Sequence, residues 1–253
     1  MQAETYTPGY SRVAVEYMLQ RSIESHGQFF CPYLVPGVSV LDCGCGPGSI
    51  TLGIGALVAP GRVVGIDAEL SQAREASTAA IQGNAANVKF CAAGVYSLPF
   101  TDAGFDRVFS HALFEHLADP LRALRELFRV LTPGGIIGVC TPDWGGRIVS
   151  PPSEPMEQAI RTVNRVQTQN GGDVQVGRKL SRYLSAAGFV GVQPSARYEC
   201  YPSADIFGEL LASVLERAGE DGAAKTVREW NEAEGGMFAM AWVSCVGRKP
   251  DQA

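Results

Sequence analysis

A glycine-rich turn between an apolar run and a helical run constrains this chain most. The stretch VLDCGCGPGSIT, residues 40–51, begins like a buried strand and then places glycines at 44, 46 and 48. Glycine lets backbone amides approach a ligand closely, and the N-terminus of a following helix favours negative charge. The stretch therefore predicts a strand–turn–helix unit that binds a ligand, with a dinucleotide, a metal ion and another nucleoside as the candidates.

Short apolar runs alternate with helical periods along the chain, which is typical of βαβ units and a parallel sheet. The first five runs are apolar almost throughout, as in strands that are buried on both faces. We predict an α/β fold with seven strands, at residues 38–43, 62–67, 87–93, 105–110, 135–142, 188–201 and 237–249.

Helix signals fill the gaps between these strands. Asp119 is a predicted N-cap with Pro120 at the first helical position, and Pro133 ends that helix. Further helices are predicted at 70–81, 156–169 and 178–187, with two more inside 203–232. The Gly- and Pro-rich stretch DWGGRIVSPPSEP, which follows Pro142, is predicted to be a loop.

We expect one domain over residues 1–253. Its core is predicted at about 35–142 and 177–249. Three segments are expected to cap the ligand edge of the sheet, at about 1–30, 143–176 and 203–236.

The charge balance argues against nucleic acid as a partner. The chain of 253 residues has a formal net charge of -5 and a pI near 5.3, whereas nucleic-acid binders usually present a basic face. No run of 18 apolar residues and no basic-then-apolar leader is present. We expect a cytoplasmic protein without a membrane partner, as a monomer or homodimer.

The glycine turn departs from the dinucleotide fingerprint G-x-G-x-x-G, because Ser49 stands where the third glycine would be. Asp42, just before the turn, would repel a pyrophosphate. Both features suit a ligand that carries an amino group and a carboxylate. Asp67 ends the second predicted strand, 19 residues beyond Gly48, where a carboxylate can accept hydrogen bonds from both ribose hydroxyls.

Cys43 and Cys45 in the turn raise the possibility of a metal ion. Zinc motifs usually space cysteines C-x-x-C with a second pair elsewhere, whereas this pair is C-x-C and stands alone. We therefore expect no metal site, and we expect the seven cysteines to be reduced thiols that pack mostly in the core.

Four motifs together resemble the class I S-adenosylmethionine (SAM)-dependent methyltransferases, of the type found in ubiquinone and menaquinone biosynthesis and among related small-molecule methyltransferases. They occur in family order over residues 35–140, as VLDCGCGPGSIT, VVGIDAEL, YSLPFTDAGFDRVFSHALFEHLADP and ALRELFRVLTPGGIIGV. The resemblance implies a Rossmann-like, mostly parallel sheet with helices on both faces and an antiparallel last strand. It also implies SAM as the cofactor and S-adenosylhomocysteine as its product.

The resemblance further implies contacts to each part of SAM. Gly44, Gly46 and Gly48 would line its methionine part, with Asp42 near the amino group and Asp67 on the ribose. The remaining implied contacts to the cofactor are Ala68 and Gln72 beside the adenosine, backbone groups of Gly94 and Val95 around the adenine, and the Ser110 carbonyl near the methionine amine.

Two of these contacts have specific alternatives. Many relatives carry an acid for the adenine amino group where this chain has Gly94, so that contact would fall to the backbone. Arg21 matches an arginine that, in a subset of relatives, an N-terminal helix brings to the SAM carboxylate; the alternative is a solvated helix face.

Candidate catalytic residues are His111, His116 and Asp143, which follow the predicted fourth and fifth strands. Methyl transfer from a sulfonium depends mostly on alignment, and a general base is needed only when the acceptor loses a proton. The alternatives are structural: helix capping for the histidines and loop anchoring for Asp143. Glu115 is expected to be a solvated or capping acid, and His26 a surface residue.

We expect an enzyme that methylates a small, fairly hydrophobic metabolite on oxygen, carbon or nitrogen. Aromatic and methionine side chains in the cap segments suggest an apolar acceptor pocket, although such residues also build cores. The alternative is a methyltransferase-fold protein that binds SAM without transferring its methyl group, as a cyclase or a regulatory subunit.

Overall fold

A computed structural model describes residues 4–251, and its strands form a seven-stranded sheet in the order β3-β2-β1-β4-β5-β7-β6. The strands are β1 Val40–Cys43, β2 Val63–Asp67, β3 Val88–Ala92, β4 Phe105–His111, β5 Leu131–Ser150, β6 Val190–Pro202 and β7 Met237–Arg248. Strands β1 to β5 pair in parallel, and β7 is antiparallel to both β5 and β6. The predicted Rossmann-like α/β fold is confirmed.

Nine α-helices lie in residues 4–251. They are α1 Arg12–Leu19, α2 Ile23–His26, α3 Ser49–Val58, α4 Leu70–Gln82, α5 Pro120–Val130, α6 Glu154–Gln169, α7 Leu180–Ala186, α8 Ile206–Arg217 and α9 Asp221–Glu232. Helix α5 begins as predicted, since Asp119 accepts a hydrogen bond from the Arg122 amide and Pro120 follows. None of the described helices is long and apolar enough to cross a membrane.

Alternation along β1 divides the core between the two faces of the sheet. Val40 packs in one apolar cluster with Ile54 of α3 and Phe109 of β4. Leu41, its neighbour, points the other way and packs with Leu124 of α5 and Leu184 of α7. Helices therefore cover both faces, which leaves the strand ends as the accessible edge.

A third apolar cluster joins the cap segments to one another. It contains Tyr17 of α1, Ile160 of α6, Leu211 of α8 and Val227 of α9, together with Trp242 of β7. The three segments, although far apart in sequence, thus share one core beside the carboxyl ends of the parallel strands.

The prediction of a loop after Pro142 was wrong for residues 143–150. Strand β5 continues to Ser150, and Ile148 and Ser150 pair with Ala239 and Met237 of β7. The register shifts between Asp143 and Ile148, where Gly146 lies so close to β7 that an added Cβ would meet that of Ala241 at 2.7 Å. The glycines that suggested a loop instead form a bulge within a long strand.

Gly48 gives a test of the turn's packing. It has φ +87°, and an added Cβ would lie 2.8 Å from Phe90 and 2.9 Å from Ala76. Gly48→Ala should therefore lower the free energy of unfolding by about 1–3 kcal/mol, from backbone strain and overpacking. Urea unfolding measures this.

A matched control is Gly222→Ala in α9, where an added Cβ meets nothing within 4 Å. This variant should be neutral or stabilising by up to ~1 kcal/mol, because alanine favours helix. Equal stability of Gly48→Ala and the wild type would contradict the assigned packing.

Candidate functional site

A cavity of about 260 Å³ opens at the carboxyl ends of β1, β2 and β4. Parallel strands bring their ends to one edge, which is why residues distant in sequence meet there. The predicted site residues that line this cavity are Arg21, Asp42, Gly44, Gly46, Asp67, Ala68, Gly94, Val95, His111 and His116.

The turn after β1 uses its first two glycines to shape the cavity. Gly44 and Gly46 have φ +76° and +51°, the left-handed region that glycine adopts without strain. An added Cβ would meet Leu113 at 3.1 Å from Gly44 and the Met18 sulfur at 3.3 Å from Gly46. Side chains at these two positions would therefore crowd Leu113 and Met18, which also line the cavity.

Asp67 connects the end of β2 to that turn. Its Oδ2 accepts a hydrogen bond from the Gly46 amide at 3.0 Å, and its Oδ1 accepts one from the Glu69 amide at 2.9 Å. Burial raises the pKa of this carboxyl above its ordinary value. Each oxygen can accept a further hydrogen bond, so the carboxylate remains available to a ligand in the cavity.

Asp42 lies deeper, at the base of the turn. It is buried, and the Thr51 hydroxyl donates to its Oδ2 at 2.6 Å. Burial raises the pKa of Asp42 to about 7, although the Thr51 hydrogen bond opposes the shift. A cationic ligand group nearby would favour the ionised form.

Three predicted cofactor residues do not line the cavity. Gly48 caps the start of α3 and packs against Phe90. Gln72 lies buried on α4, and the Ser110 hydroxyl donates to the Cys43 carbonyl at 2.9 Å within the sheet. The family resemblance implied these three contacts, for Ser110 through its carbonyl rather than its hydroxyl, and they stay predictions.

Asp143 also lies away from the cavity. The Arg178 side chain donates to both its carboxylate oxygens, at 2.7 and 2.9 Å, and the backbone amides of Arg178 and Gly145 donate as well. These bonds lower the pKa of the carboxyl despite its burial. The arrangement is that of a loop anchor, the structural alternative for this residue.

A second, smaller cavity of about 70 Å³ adjoins the first. The two share Tyr6, Met18, Arg21, Ala112 and His116 in their walls. The rest of the second cavity is largely apolar and aromatic, with Trp144, Phe207, Leu211, Met240 and Trp242 among its lining residues. Aromatic residues of two predicted cap segments, Trp144 and Phe207, thus line an interior space.

His111 and His116 occupy different positions. His111 lines only the first cavity, stacks on Trp242 with ring centroids 4.7 Å apart, and has no hydrogen-bond partner on either ring nitrogen. His116 lines both cavities, and its Nδ1 is buried without a partner. Burial lowers the pKa of both rings, to about 3 for His116, so both are neutral near pH 7.

Two expectations about neighbouring residues were wrong. Glu115 is buried rather than solvated; it lines the second cavity, and the Thr141 hydroxyl donates to its Oε2 at 2.5 Å. His26 is buried rather than on the surface, with Nε2 2.9 Å from a Glu199 oxygen. The partners of these two side chains come from distant parts of the chain, so the local sequence did not reveal that either residue is buried.

Arg21 is a partly buried cation at the junction of the two cavities. Its guanidinium carbon lies 4.8 Å from the Tyr17 ring centroid and 5.4 Å from that of Trp242. Among residues 4–251, its Nε has no hydrogen-bond partner and no carboxylate forms an ion pair with it. Arg21 lies between α1 and α2 rather than on a helix face, and its contact with the SAM carboxylate stays a prediction.

The N-terminal segment of residues 4–10 forms part of the wall of the first cavity, to which it contributes Tyr6 and Tyr10. Glu4 accepts hydrogen bonds from the Ala118 amide and the Tyr96 hydroxyl at one end. Arg217 donates to the Thr7 and Pro8 carbonyls at the other. The sequence predicts that the N-terminal segment caps the site, but it does not reveal these hydrogen bonds.

The cysteines are free thiols, and Cys43, Cys140 and Cys245 are buried. Within residues 4–251, no group of three or more His, Cys, Asp or Glu side chains is arranged to hold a metal ion. Cys43 belongs to the core of the sheet, and Cys45 lines the first cavity.

The chain belongs to the methyltransferase-domain family, whose model matches residues 34–188, more than half of its length. It is similar to an uncharacterised methyltransferase of Schizosaccharomyces pombe, 27% identical over 97% of each chain. It is also similar to the demethylmenaquinone methyltransferase of Lactococcus lactis, 34% identical over 41% of each chain. Motifs, family and fold agree: this is a class I SAM-dependent methyltransferase.

A solved structure of the [4+2]-cyclase SpnF shares the fold, with a TM-score of 0.58 and 24% identity. The similarity covers 98% of this chain and 86% of the cyclase. With this coverage the match reaches the two cap segments that lie outside the family model, at about 1–30 and 203–236.

Asp143→Asn tests the loop-anchor role. The variant should lose about 1–2 kcal/mol of stability at pH 7, because charge-assisted hydrogen bonds to half-exposed Arg178 are weakened. The folded-state pKa lies below the ordinary 3.8, so this contribution is present above about pH 4 and is lost as the pH falls further. Urea unfolding at several pH values measures both effects.

The control is Asp102→Asn, an exposed acid paired with Arg129, which should change stability by less than about 0.5 kcal/mol. SAM affinity should stay the same in both variants. A loss of SAM affinity in Asp143→Asn with unchanged stability would place the residue in the ligand site instead.

Proposed function

We propose that this enzyme holds SAM in the first cavity and transfers its methyl group to a small, hydrophobic acceptor in the second. The observation that carries the proposal is the shared wall: five residues line both cavities, so two ligands could meet at the junction. In-line transfer needs this contact, because alignment of donor and acceptor supplies most of the acceleration.

The first cavity offers a partner for each part of SAM. Asp67 would accept hydrogen bonds from the ribose hydroxyls, and Gly44 and Gly46 would face the methionine part. Arg21 would pair with the carboxylate, since it is a partly buried cation without an ion-pair partner among residues 4–251. Asp42 would support the ammonium group once ionised.

The adenine would lie by Ala68, Gly94 and Val95. An added Cβ at Gly94 would meet nothing within 4 Å, so there is open space where many relatives carry an acid. Backbone groups would therefore provide the adenine contacts.

The second cavity sets the acceptor class. Its lining is largely apolar, and its aromatic residues bury large areas and pack well against flat rings. Its small volume favours a compact acceptor. The polar groups at the junction, His116 and Glu115, suit an acceptor whose reacting atom carries a proton, such as a hydroxyl.

Asp67→Ala tests the assignment of the first cavity. The variant should lose at least about 1–3 kcal/mol of SAM binding free energy, because the ribose hydroxyls lose a charged acceptor. Titration calorimetry with SAM measures the loss. Glu69→Gln is the control: it neutralises a nearby carboxyl that does not line the cavity and should bind SAM like the wild type. Unchanged affinity in Asp67→Ala would reject the ribose assignment.

A screen for S-adenosylhomocysteine release tests the transfer itself. Incubation with SAM and a panel of compact phenols, hydroxyquinones and aromatic amines should give turnover with at least one apolar aromatic compound. Substitution of the second cavity, as in Leu211→Trp, should abolish that turnover while SAM binding persists, because the added ring would fill the cavity. Tight SAM binding without product from any compound would favour the non-transferring alternative, a cyclase or regulatory role.

A further inference from the structure

The two histidines differ in the charges around them. Burial lowers the pKa of His111 well below its ordinary value, and Arg21 and Arg197 also disfavour a proton on its ring. His116 is also near Arg21, but its Nε2 lies 3.6 Å from Oε1 of Glu115. A proton gained by His116 would therefore have a carboxylate beside it, whereas one gained by His111 would not.

Hydrogen bonds fix the position of Glu115, as a positioning role requires. Thr141, fully buried on β5, donates to its Oε2 at 2.5 Å. Its backbone carbonyl accepts from the Gln167 side chain at 2.9 Å and from the Asp173 amide at 3.0 Å. Strand β5 thus holds the carboxyl, while helix α6 and the following loop hold the backbone of the same residue.

The geometry leaves one nitrogen of His116 for the acceptor. Nε2 is the nitrogen near Glu115, while Nδ1 is buried and has no partner. The Tyr6 ring packs edge-on against the imidazole, with centroids 4.7 Å apart, and shields it from solvent. His116 also lines both cavities, which places it where the methyl group would move.

We propose that Glu115 and His116 form a dyad in which Glu115 accepts the Nε2 proton and so directs Nδ1, as the general base, to a hydroxyl of the acceptor. The 3.6 Å separation would shorten when ligands close the site, as catalytic hydrogen bonds often do. The dyad rests on the proposed function and narrows it to acceptors that lose a proton.

In the proposed step, the acceptor O–H proton passes to Nδ1 of His116 while the oxygen forms its bond to the methyl carbon. The bond from sulfur to that carbon breaks, and its electron pair stays on sulfur. The products are the methyl ether, S-adenosylhomocysteine and an imidazolium next to the Glu115 carboxylate. The imidazolium then releases its proton to water.

The dyad predicts a pH dependence. Burial raises the pKa of Glu115 to about 7, while Thr141 and Arg21 act in the opposite direction; Tyr6, Cys140 and His116 are further titratable groups near it. As the pH falls through about 7, Glu115 gains a proton and no longer stabilises an imidazolium. Turnover should fall with it.

The test is ¹⁵N NMR of the histidine-labelled, full-length protein saturated with S-adenosylhomocysteine. The chain has three histidines, so His26→Gln, His111→Gln and His116→Gln assign the ring signals. At pH 8, His116 should be the neutral tautomer with its proton on Nε2. Its ring shifts should follow one titration near pH 7, caused by Glu115.

Two variants identify the cause of that titration. Glu115→Gln should abolish it, and Thr141→Val should move it to higher pH, because the lost hydrogen bond had lowered the Glu115 pKa. Thr141→Val decides the question if Glu115→Gln does not fold. A proton on Nδ1 instead of Nε2, or a titration unchanged in the folded variants, would overturn the dyad.

Kinetics provide the second readout. With a phenol that turns over in the screen, Glu115→Gln should lower kcat by about 10²-fold or more with little change in the KM for SAM. A purely structural role would instead change both. The NMR measurement needs no acceptor. A proton on Nδ1 of His116 in a protein that still methylates an acceptor would reject the dyad alone. The absence of turnover with every acceptor would reject the transfer itself.

Discussion

The hydrogen bond from the Gly46 amide to Asp67 is the contact on which the arrangement of the site depends. It joins the turn after β1 to the end of β2, so the two neighbouring parallel strands present one continuous surface to a ligand. The glycines of the turn adopt left-handed backbone angles that allow this approach. The same carboxylate thereby joins the turn to β2 and can still accept a hydrogen bond from a ligand.

The fold was predictable where buried strands leave a strong pattern. Runs such as VVGID have to be apolar because helices cover both faces of the sheet, and that requirement is visible in the sequence. The extension of β5 through residues 143–150 was not visible, because its pairing with β7 is non-local and its bulge uses glycines that also mark loops. Local composition could not distinguish a glycine bulge within a strand from a loop.

The position of the site residues was likewise predictable only in part. Residues in the motifs after β1 and β2 line the first cavity, since strand ends fix their position. Glu115 and His26 were assigned wrongly because their burial comes from segments far along the chain, including Thr141 and Glu199. A polar side chain's environment is a property of the packed fold, and only its type and spacing can be read locally.

Burial also explains why the junction between the cavities can be selective. Charged groups lose hydration there, so a cation or a polar ring favours a ligand that adds a complementary group. Low polarity strengthens each such pairing once it forms. The two histidines then differ in their neighbours among residues 4–251: the carboxyl of Glu115 lies 3.6 Å from Nε2 of His116, whereas Arg21 and Arg197 oppose a proton on His111. Under the proposed dyad, the position of one buried acid would therefore decide which ring acts on an acceptor.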